Sequence, residues 1–293
     1  KQGHIESEWI YSSDADAQWP SHYLSQSWPC DAAAISLPFQ HVIDGEAPLD
    51  QATLVYELWL HHYILGLEFS ASPYAFHTLG SSCGFNARCY AAARGMPLRA
   101  GAEDFYLLNK LAKMGQVLRP AGPPVLIQAR ASDRVPFGTG PAVTRLMASG
   151  EPQSTPFFYH QNNFAALKRI LECFPRWLSS QEPDIYQSLS QHLPEALADA
   201  AAAQLLKLGL PQAIKHVQGN SRNAQQRARQ LHTWFDGFKT LKFLNSLRDS
   251  TGGHQTLLQV SDQAAQPLTT TTLRAQRSAI VSQWGWQLKQ DEA

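Results

Sequence analysis

Patterns typical of strands and of helices alternate over the first half of this chain, whereas helical patterns alone fill the second half. The strand-type runs are short and apolar, and they lie at residues 5–11, 32–39, 117–118 and 125–127. The helical patterns between them lie at residues 50–66, 86–94 and 103–114. Alternation of this kind is typical of α/β domains. We therefore expect a mixed α/β domain over residues 1–150.

The second half has Ala-rich and amphipathic stretches with helical spacing. These stretches lie at residues 156–178, 194–208, 221–249 and 271–288. The boundary between the two halves is expected near residue 150, in the turn-forming run Ala148-Ser149-Gly150-Glu151-Pro152. Residues 151–293 are therefore predicted to form a mainly α-helical domain.

Composition limits the classes of protein to which the chain can belong. Hydrophobic residues make up 44% of the 293 residues, which is enough for a sizeable core. The 24 basic and 24 acidic residues cancel, and this argues against nucleic acid as the main partner. The sequence has no apolar run long enough for a transmembrane helix, and its four cysteines lack zinc-knuckle spacing. We expect a cytoplasmic protein.

Two acidic motifs stand out, and the first follows the first predicted strand. Asp14 and Asp16 are separated by one residue, so their carboxylates can reach the same ion. Hard divalent cations prefer oxygen ligands, and Mg²⁺ needs only one or two protein carboxylates. The motif therefore predicts a site for Mg²⁺ or Mn²⁺ that a phosphorylated donor completes.

The second motif, Glu103-Asp104, opens the helix predicted at 103–114. Acidic residues are favoured at helix N-termini, and that position lowers the pKa of a carboxylate and weakens it as a base, whereas burial raises the pKa. We interpret Asp104 as a general base, with Glu103 bracing it or holding the acceptor. A helix start without catalytic function is the alternative.

Four segments, taken in order, resemble the GT-A-fold glycosyltransferases, chiefly those of family 2. The segments are Ile10 to Ala17 with the two aspartates, Gly84-Phe85-Asn86-Ala87-Arg88, Gly95-Met96-Pro97, and Glu103-Asp104-Phe105 with the following Lys113-Met114-Gly115. The resemblance covers roughly residues 8 to 130. It implies a GT-A-like mixed sheet with flanking helices. It also implies that the chain lacks the N-terminal part that binds the nucleotide base in that family.

The resemblance also implies a reaction and a set of site residues. A sugar would pass from a nucleotide-diphosphate donor to a hydroxyl of a small-molecule or glycan acceptor, with inversion in most relatives and retention in others. Asp16 would coordinate the metal, and Asp14 would hold it through water or bind the ribose. Donor contacts would come from Gly84, Asn86 and Arg134. Asp133 would replace a histidine metal ligand that many relatives carry and that this stretch lacks.

Three other functions remain open from the residues alone. A phosphatase of the haloacid-dehalogenase type also places two aspartates after a strand, although Ala17-Gln18-Trp19 does not continue that family's pattern. A glycoside hydrolase would use two carboxylates without a metal. A truncated or degenerate transferase-like domain without activity would serve as an interaction module.

Overall fold

The computed structural model describes residues 7–43, 48–99, 101–131, 138–221, 223–261 and 268–289. Its strands are β1 (Trp9–Ser12), β2 (Ala32–Ser36), β3 (Phe39–Val42), β4 (Cys83–Asn86), β5 (Gln116–Leu118) and β6 (Val125–Gln128). Its helices are α1 (Pro48–Phe69), α2 (Ala87–Ala92), α3 (Glu103–Leu111), α4 (Thr139–Ala148), α5 (Gln161–Ser179), α6 (Ile185–Ser190), α7 (Glu195–Lys207), α8 (Leu210–Asn220), α9 (Ala224–Trp234), α10 (Gly237–Ser250), α11 (Leu257–Val260) and α12 (Thr270–Ser282). The predicted α/β class is confirmed.

The chain forms two compact units. Unit 1 contains Lys1–His61, Phe76–Thr155 and Leu257–Ala293, and unit 2 contains His62–Ala75 and Pro156–Thr256. The chain enters unit 2 at His62 and again at Pro156, and it returns to unit 1 at Phe76 and at Leu257. In the described ranges, no helix combines the length and the apolarity that crossing a bilayer requires.

Unit 1 holds a small mixed sheet. Its four strands lie in the order β1-β4-β2-β5, where β4 is antiparallel to both neighbours and β5 is parallel to β2. A separate parallel pair joins β3 to β6. Cys83, the first residue of β4, lies opposite Ser12 and Ser36, the last residues of β1 and β2. The residues that follow β1 therefore meet the residues that precede β4 at one edge of the sheet.

Strand β2 is buried along its whole length. Its sequence, Ala32-Ala33-Ala34-Ile35-Ser36, provides small side chains where neighbouring backbone comes close. A Cβ atom at Gly115 would lie 2.7 Å from the carbonyl oxygen of Asp31. Such a contact is too short for any side chain, so the turn after α3 reaches the sheet because residue 115 is a glycine.

A fully buried carboxylate, that of Glu57 on α1, lies among basic groups in unit 1. Glu57 Oε2 accepts hydrogen bonds from the His41 backbone N–H at 3.0 Å and from His41 Nδ1 at 2.7 Å. Arg277 Nη1 lies 3.8 Å from Glu57 Oε1. Burial by itself raises the pKa of Glu57, but Arg277 and the hydrogen bonds of His41 and His61 outweigh it and hold the pKa well below its usual range.

Two buried histidines extend this cluster toward β4. His61 Nε2 lies 3.5 Å from Glu57 Oε1, and His61 Nδ1 lies 3.1 Å from His77 Nε2. Burial lowers the pKa of both histidines, so both are neutral near pH 7. A proton on Nε2 of each ring gives both contacts a donor and an acceptor. The carboxylate thereby sets the tautomer of His61, and His61 sets that of His77.

The described part of unit 2 is mainly helical, and two of the differences from the predicted helices have clear structural causes. The stretch predicted as one helix at 221–249 is divided into α9 and α10, because Asp236 caps α10 by accepting a hydrogen bond from the Lys239 N–H at 3.0 Å. The break lets Phe235 and Phe243 pack with ring centres 6.0 Å apart in the buried core.

The second difference concerns Gly66, which was expected to end the helix that begins near Asp50. The helix instead runs on to Phe69, and Gly66 lies inside it. A Cβ atom at Gly66 would lie 2.4 Å from the ring of Phe164, which is itself buried. The glycine therefore makes room for an aromatic ring within unit 2 and does not terminate the helix.

Replacing Glu57 by glutamine keeps the shape of the side chain and removes its charge. Arg277 then loses its buried counter-charge, and we expect the free energy of unfolding to fall by about 3–5 kcal/mol. Urea unfolding at pH 7.5 measures this loss. Glu172→Gln is the matched control, because Glu172 pairs with Arg169 at 3.8 Å with its side chain half exposed. That change should cost less than about 1 kcal/mol. Equal losses in the two variants would contradict the role given to Glu57.

Gly66→Ala forces the Phe164 ring to move, and the expected loss of stability is about 1–3 kcal/mol. The control is Gly219→Ala on α8, where a Cβ atom meets nothing within 4 Å. Since alanine has the higher helix propensity, the control should be neutral or stabilising by up to about 1 kcal/mol. Urea unfolding of both variants decides the matter, and a stabilised Gly66→Ala protein would show that the ring is free to shift.

Candidate functional site

The loop that carries the first acidic motif and the carboxylate of Asp104 both contact the segment that precedes β4. The loop after β1 lies beside β6, where Gln18 and Leu126 exchange backbone hydrogen bonds of 2.8 and 2.9 Å. From the same loop, Trp19 Nε1 donates to the Ser81 carbonyl at 3.1 Å. The neighbouring Gly80 N–H donates to Asp104 Oδ2 at 2.9 Å. Two hydrogen bonds and a short stretch of backbone thus connect the loop of the first motif to the carboxylate of the second.

Asp14 and Asp16 share one basic partner, Arg130, which lies two residues beyond β6. Its Nη1 donates to Asp16 Oδ2 at 2.7 Å, and its Nη2 lies 3.6 Å from Asp14 Oδ2. The side chains are 48% exposed for Arg130, 50% for Asp14 and 33% for Asp16. Ion pairs this exposed contribute about 0–1 kcal/mol. The guanidinium can therefore leave the carboxylates at small cost.

The geometry of this pair is relevant to metal binding. Asp14 and Asp16 converge on one positive group, as two ligands of a single cation must. Among the described residues, no set of three or more His, Cys, Asp or Glu side chains is placed to hold a metal ion. Two carboxylates fit a cation that also takes water and substrate oxygens, as Mg²⁺ does, and do not fit a cation that protein side chains enclose completely.

Asp104 lies at the start of α3 and is half-buried. Its Oδ1 accepts a hydrogen bond from the Phe105 N–H at 2.6 Å, and its Oδ2 accepts the bond from Gly80. Burial raises the pKa of Asp104 to about 6, and the neighbouring Glu103 carboxylate adds to the rise, while the two backbone hydrogen bonds act in the opposite direction. Desolvation therefore outweighs the helix N-terminus, and the carboxylate is left with the affinity for protons that a base at neutral pH needs.

Two further titratable side chains influence Asp104 or are influenced by it. Burial raises the pKa of Tyr56 on α1 to about 12; a hydrogen bond with Thr139 acts against this rise, and the charge of Asp104 adds to it. Burial, with a contribution from Asp104, also raises the pKa of the Cys83 thiol well above its usual range. Both side chains stay protonated at neutral pH, so Asp104 is the group of this cluster that titrates near pH 6.

Gly84 and Asn86 have evident structural roles. A Cβ atom at Gly84 would lie 3.1 Å from the ring of Tyr11 and 3.3 Å from Ile35, so the glycine fits between two strands. Asn86 caps α2, since its side-chain oxygen accepts hydrogen bonds from two backbone N–H groups, at 3.0 and 3.3 Å. Asn86 pairs with Trp9, at the end of β1 that is remote from Asp14. Their assignment as sugar contacts remains a prediction.

The two glycines and two prolines among residues 132–141 predict a shaped loop there, and the structure describes this stretch only from Gly138 onward. Asp133 and Arg134 lie outside the described residues, so their assignments as metal ligand and donor contact remain predictions. From Thr139 onward the chain is helical, and Gly140 and Pro141 belong to the first turn of α4. The loop predicted through Pro141 is thus wrong at its end, because proline is well tolerated in the first turn of a helix.

The sequence analysis missed Arg130, Gly80 and Tyr56. An arginine shortly after a predicted strand is a weak signal by itself, and only the bridge between Gln18 and Leu126 brings it to the aspartates. Gly80 acts through its backbone N–H, which no sequence pattern reveals. Tyr56 lies within a long helical pattern whose buried side is not distinguishable from its neighbours.

Comparisons of the chain with models of known protein families, with curated proteins and with solved structures found no match.

Because its pKa is raised, Asp104 should make the free energy of unfolding depend on pH. Ionised Asp104 is unfavourable in the folded protein, so its stabilising contribution is fully present below the ordinary pKa of 3.8 and is lost as the pH rises through about 6. Asp104→Asn avoids this loss. Asparagine leaves one of the two backbone N–H groups without an acceptor at every pH. We therefore expect the free energy of unfolding of the variant, relative to that of the wild type, to rise by about 1–2 kcal/mol from pH 5 to pH 8.

Urea unfolding of both proteins at the two pH values measures this difference, and groups common to both proteins cancel. An equal difference in unfolding free energy between the two proteins at pH 8 and pH 5 would show that Asp104 titrates at its ordinary pKa.

Proposed function

We propose that the protein is a metal-dependent glycosyltransferase that moves a sugar from a nucleotide-diphosphate donor to an acceptor hydroxyl. The observation that carries the proposal is that two unlike carboxylate sites are linked through the segment that precedes β4. Asp14 and Asp16 are at least one-third exposed and converge on a guanidinium, while Asp104 is half-buried and has a raised pKa. Transfer of a sugar from a diphosphate needs a cation site that neutralises the leaving group, which Asp14 and Asp16 would provide, and a proton acceptor, which Asp104 would provide.

Asp16 and Asp14 would hold Mg²⁺ or Mn²⁺. When bound, such an ion stabilises negative charge on the oxygens of the departing diphosphate. The two aspartates leave most of the coordination positions to water and to the donor, which matches the open arrangement of this loop. The family resemblance of the Ile10 to Ala17 segment supports the same assignment.

Arg130 would change partners during the reaction cycle. Its pairing with Asp16 and Asp14 is weak because all three side chains are well exposed, and a divalent cation competes for the same carboxylate oxygens. Once released, the guanidinium can form bidentate hydrogen bonds with phosphate oxygens. Arg130 therefore stands in for the cation in the free protein and becomes a donor contact when the ion binds.

Asp104 would act as the general base. The acceptor O–H proton passes to an Asp104 oxygen as the acceptor oxygen forms a bond to the anomeric carbon, and the bond from that carbon to the diphosphate oxygen breaks with its electron pair leaving on the diphosphate. A pKa of about 6 leaves Asp104 ionised at pH 7.5 and still basic enough to take part. A positioned base contributes on the order of 10²–10⁴-fold in rate. Glu103, beside it, would orient the acceptor.

Calorimetry with Mn²⁺ and a panel of nucleotide sugars tests the proposal. The wild type should bind a nucleoside diphosphate only when Mn²⁺ is present. Asp16→Asn should abolish this binding. Asp104→Asn should bind as the wild type does and release nucleoside diphosphate at least about 10²-fold more slowly. Arg130→Gln should bind Mn²⁺ alone about two- to fivefold more tightly, since a weak competitor is gone, and should bind the nucleoside diphosphate less tightly.

Other outcomes would indicate other functions. Sugar binding that ignores Mn²⁺ would indicate a glycoside hydrolase, and release of phosphate from simple phosphomonoesters would indicate a phosphatase. The absence of any nucleotide, sugar or metal binding would leave an interaction module. Normal turnover by Asp104→Asn would remove Asp104 as the base while leaving the donor site intact.

A further inference from the structure

A basic stretch of sequence lies next to α3 in unit 1. The whole chain has no net charge, but residues 88–113 contain five basic and only two acidic residues. The basic residues of this stretch are Arg88, Arg94, Arg99, Lys110 and Lys113. Arg88 is offset by Glu8, which lies 3.7 Å away. The excess positive charge therefore belongs to the segment after α2 and to α3.

Two contacts place that segment along one side of α3. Lys110 Nζ donates to the Ala93 carbonyl at 3.4 Å, and the Arg99 guanidinium lies 3.8 Å from the centre of the Tyr106 ring. Tyr106 and Lys110 are one helical turn apart and share a face of the helix. Residues 93–99 therefore follow this face. We call the side chains of Arg94, Arg99 and Lys110, which are all exposed, the basic face.

A leucine projects from this segment into solvent. The relative exposure of Leu98 is 104%. The start of the segment, at Gly95 and Met96, is fixed by hydrogen bonds. The Gly95 N–H donates to the Tyr90 carbonyl at 2.9 Å, and the Met96 N–H donates to the Tyr90 hydroxyl at 3.2 Å. Arg94 and Gly95 both have positive φ, 64° and 72°, which is a costly conformation for arginine.

Leu98 lies two residues beyond this anchored turn and next to Arg99 in the sequence, and its side chain contributes nothing to the core. We propose that Leu98 and the basic face form a docking surface for a membrane that contains anionic phospholipids. The cations would meet the phosphate headgroups, and Leu98 would enter the apolar layer beneath them.

The chemistry of the surface favours a membrane over nucleic acid. A phosphate backbone attracts arginine and lysine but provides no apolar layer for an aliphatic side chain. A lipid surface provides both parts, negative charge at the level of the headgroups and hydrocarbon a few ångströms below. With three cations and one inserted leucine, the binding should be weak and reversible, and it should fall as the salt concentration rises. This inference does not depend on the proposed glycosyl transfer.

Co-sedimentation of the full chain with vesicles tests the docking surface. We expect sedimentation with vesicles of phosphatidylcholine and phosphatidylglycerol, and little with phosphatidylcholine alone. The triple change Arg94→Gln, Arg99→Gln and Lys110→Gln should lower binding to the anionic vesicles by at least about tenfold. Leu98→Ser should lower it by about tenfold through loss of the apolar contact.

The matched control is Leu206→Ser with Lys207→Gln on α7, which removes an exposed leucine and a neighbouring cation at another place in the chain. It should sediment as the wild type does, and circular dichroism should show that all the variants are folded. Absence of binding to anionic vesicles, equal binding to neutral ones, or an equal loss in the control would overturn the proposal. Binding to an RNA or DNA oligonucleotide that the triple variant loses and Leu98→Ser keeps, without binding to vesicles, would assign the face to nucleic acid and also overturn it.

Discussion

Unit 1 depends on the pairing of the buried Glu57 carboxylate with the basic groups around it. A charge without solvent contact is tolerated only when its surroundings satisfy it, and the groups that satisfy Glu57 come from separate parts of the chain. His41 belongs to β3, His61 to the same helix as Glu57, and Arg277 to α12. Their shared need for this one anion fixes a strand, a long helix and a late helix of unit 1 in one arrangement. Aromatic rings around His61 and His77 exclude water, so a polar group that loses its partner there could not be solvated instead.

The same cluster reaches the candidate site through the backbone. The ring of His77 contacts His61, and the His77 carbonyl accepts a hydrogen bond from the Ser36 hydroxyl at 2.8 Å. Two contacts, one through the side chain and one through the backbone, therefore fix the segment that leads into Gly80. Gly80 then presents its N–H to Asp104. Backbone N–H groups thus hold Asp104, the proposed base, whereas the ion pairs of Arg130 with Asp14 and Asp16 are exposed and easily rearranged. The proposed transfer would benefit from that contrast, because the proton acceptor would stay in place while the charged partners exchange.

The sequence is informative where the cause of a structure is local. Asp14 and Asp16 follow a strand and Asp104 opens a helix, and these placements are readable from nearby residues alone. Gly66 was misread because a glycine at the end of an apolar pattern usually stops a helix, while here its reason is the Phe164 ring, far along the chain. The pairing of Arg130 with Asp16 spans 114 residues, and that of Arg277 with His41 spans 236. Contacts at such separations leave no periodicity in the sequence, so neither the buried cluster nor the partner of the aspartates could be predicted.

The hydrogen bond from Gly80 to Asp104 has an evolutionary and an engineering consequence. Because the donor is backbone, no point mutation at position 80 other than to proline deletes it. A methyl group added at Gly80 would instead lie 3.4 Å from Asp104 Oδ2, an ordinary contact distance. Larger side chains there would shield the carboxylate further from solvent while leaving the bond in place. The size of the side chain at position 80 therefore influences the pKa of Asp104 through desolvation, while the aspartate itself stays unchanged.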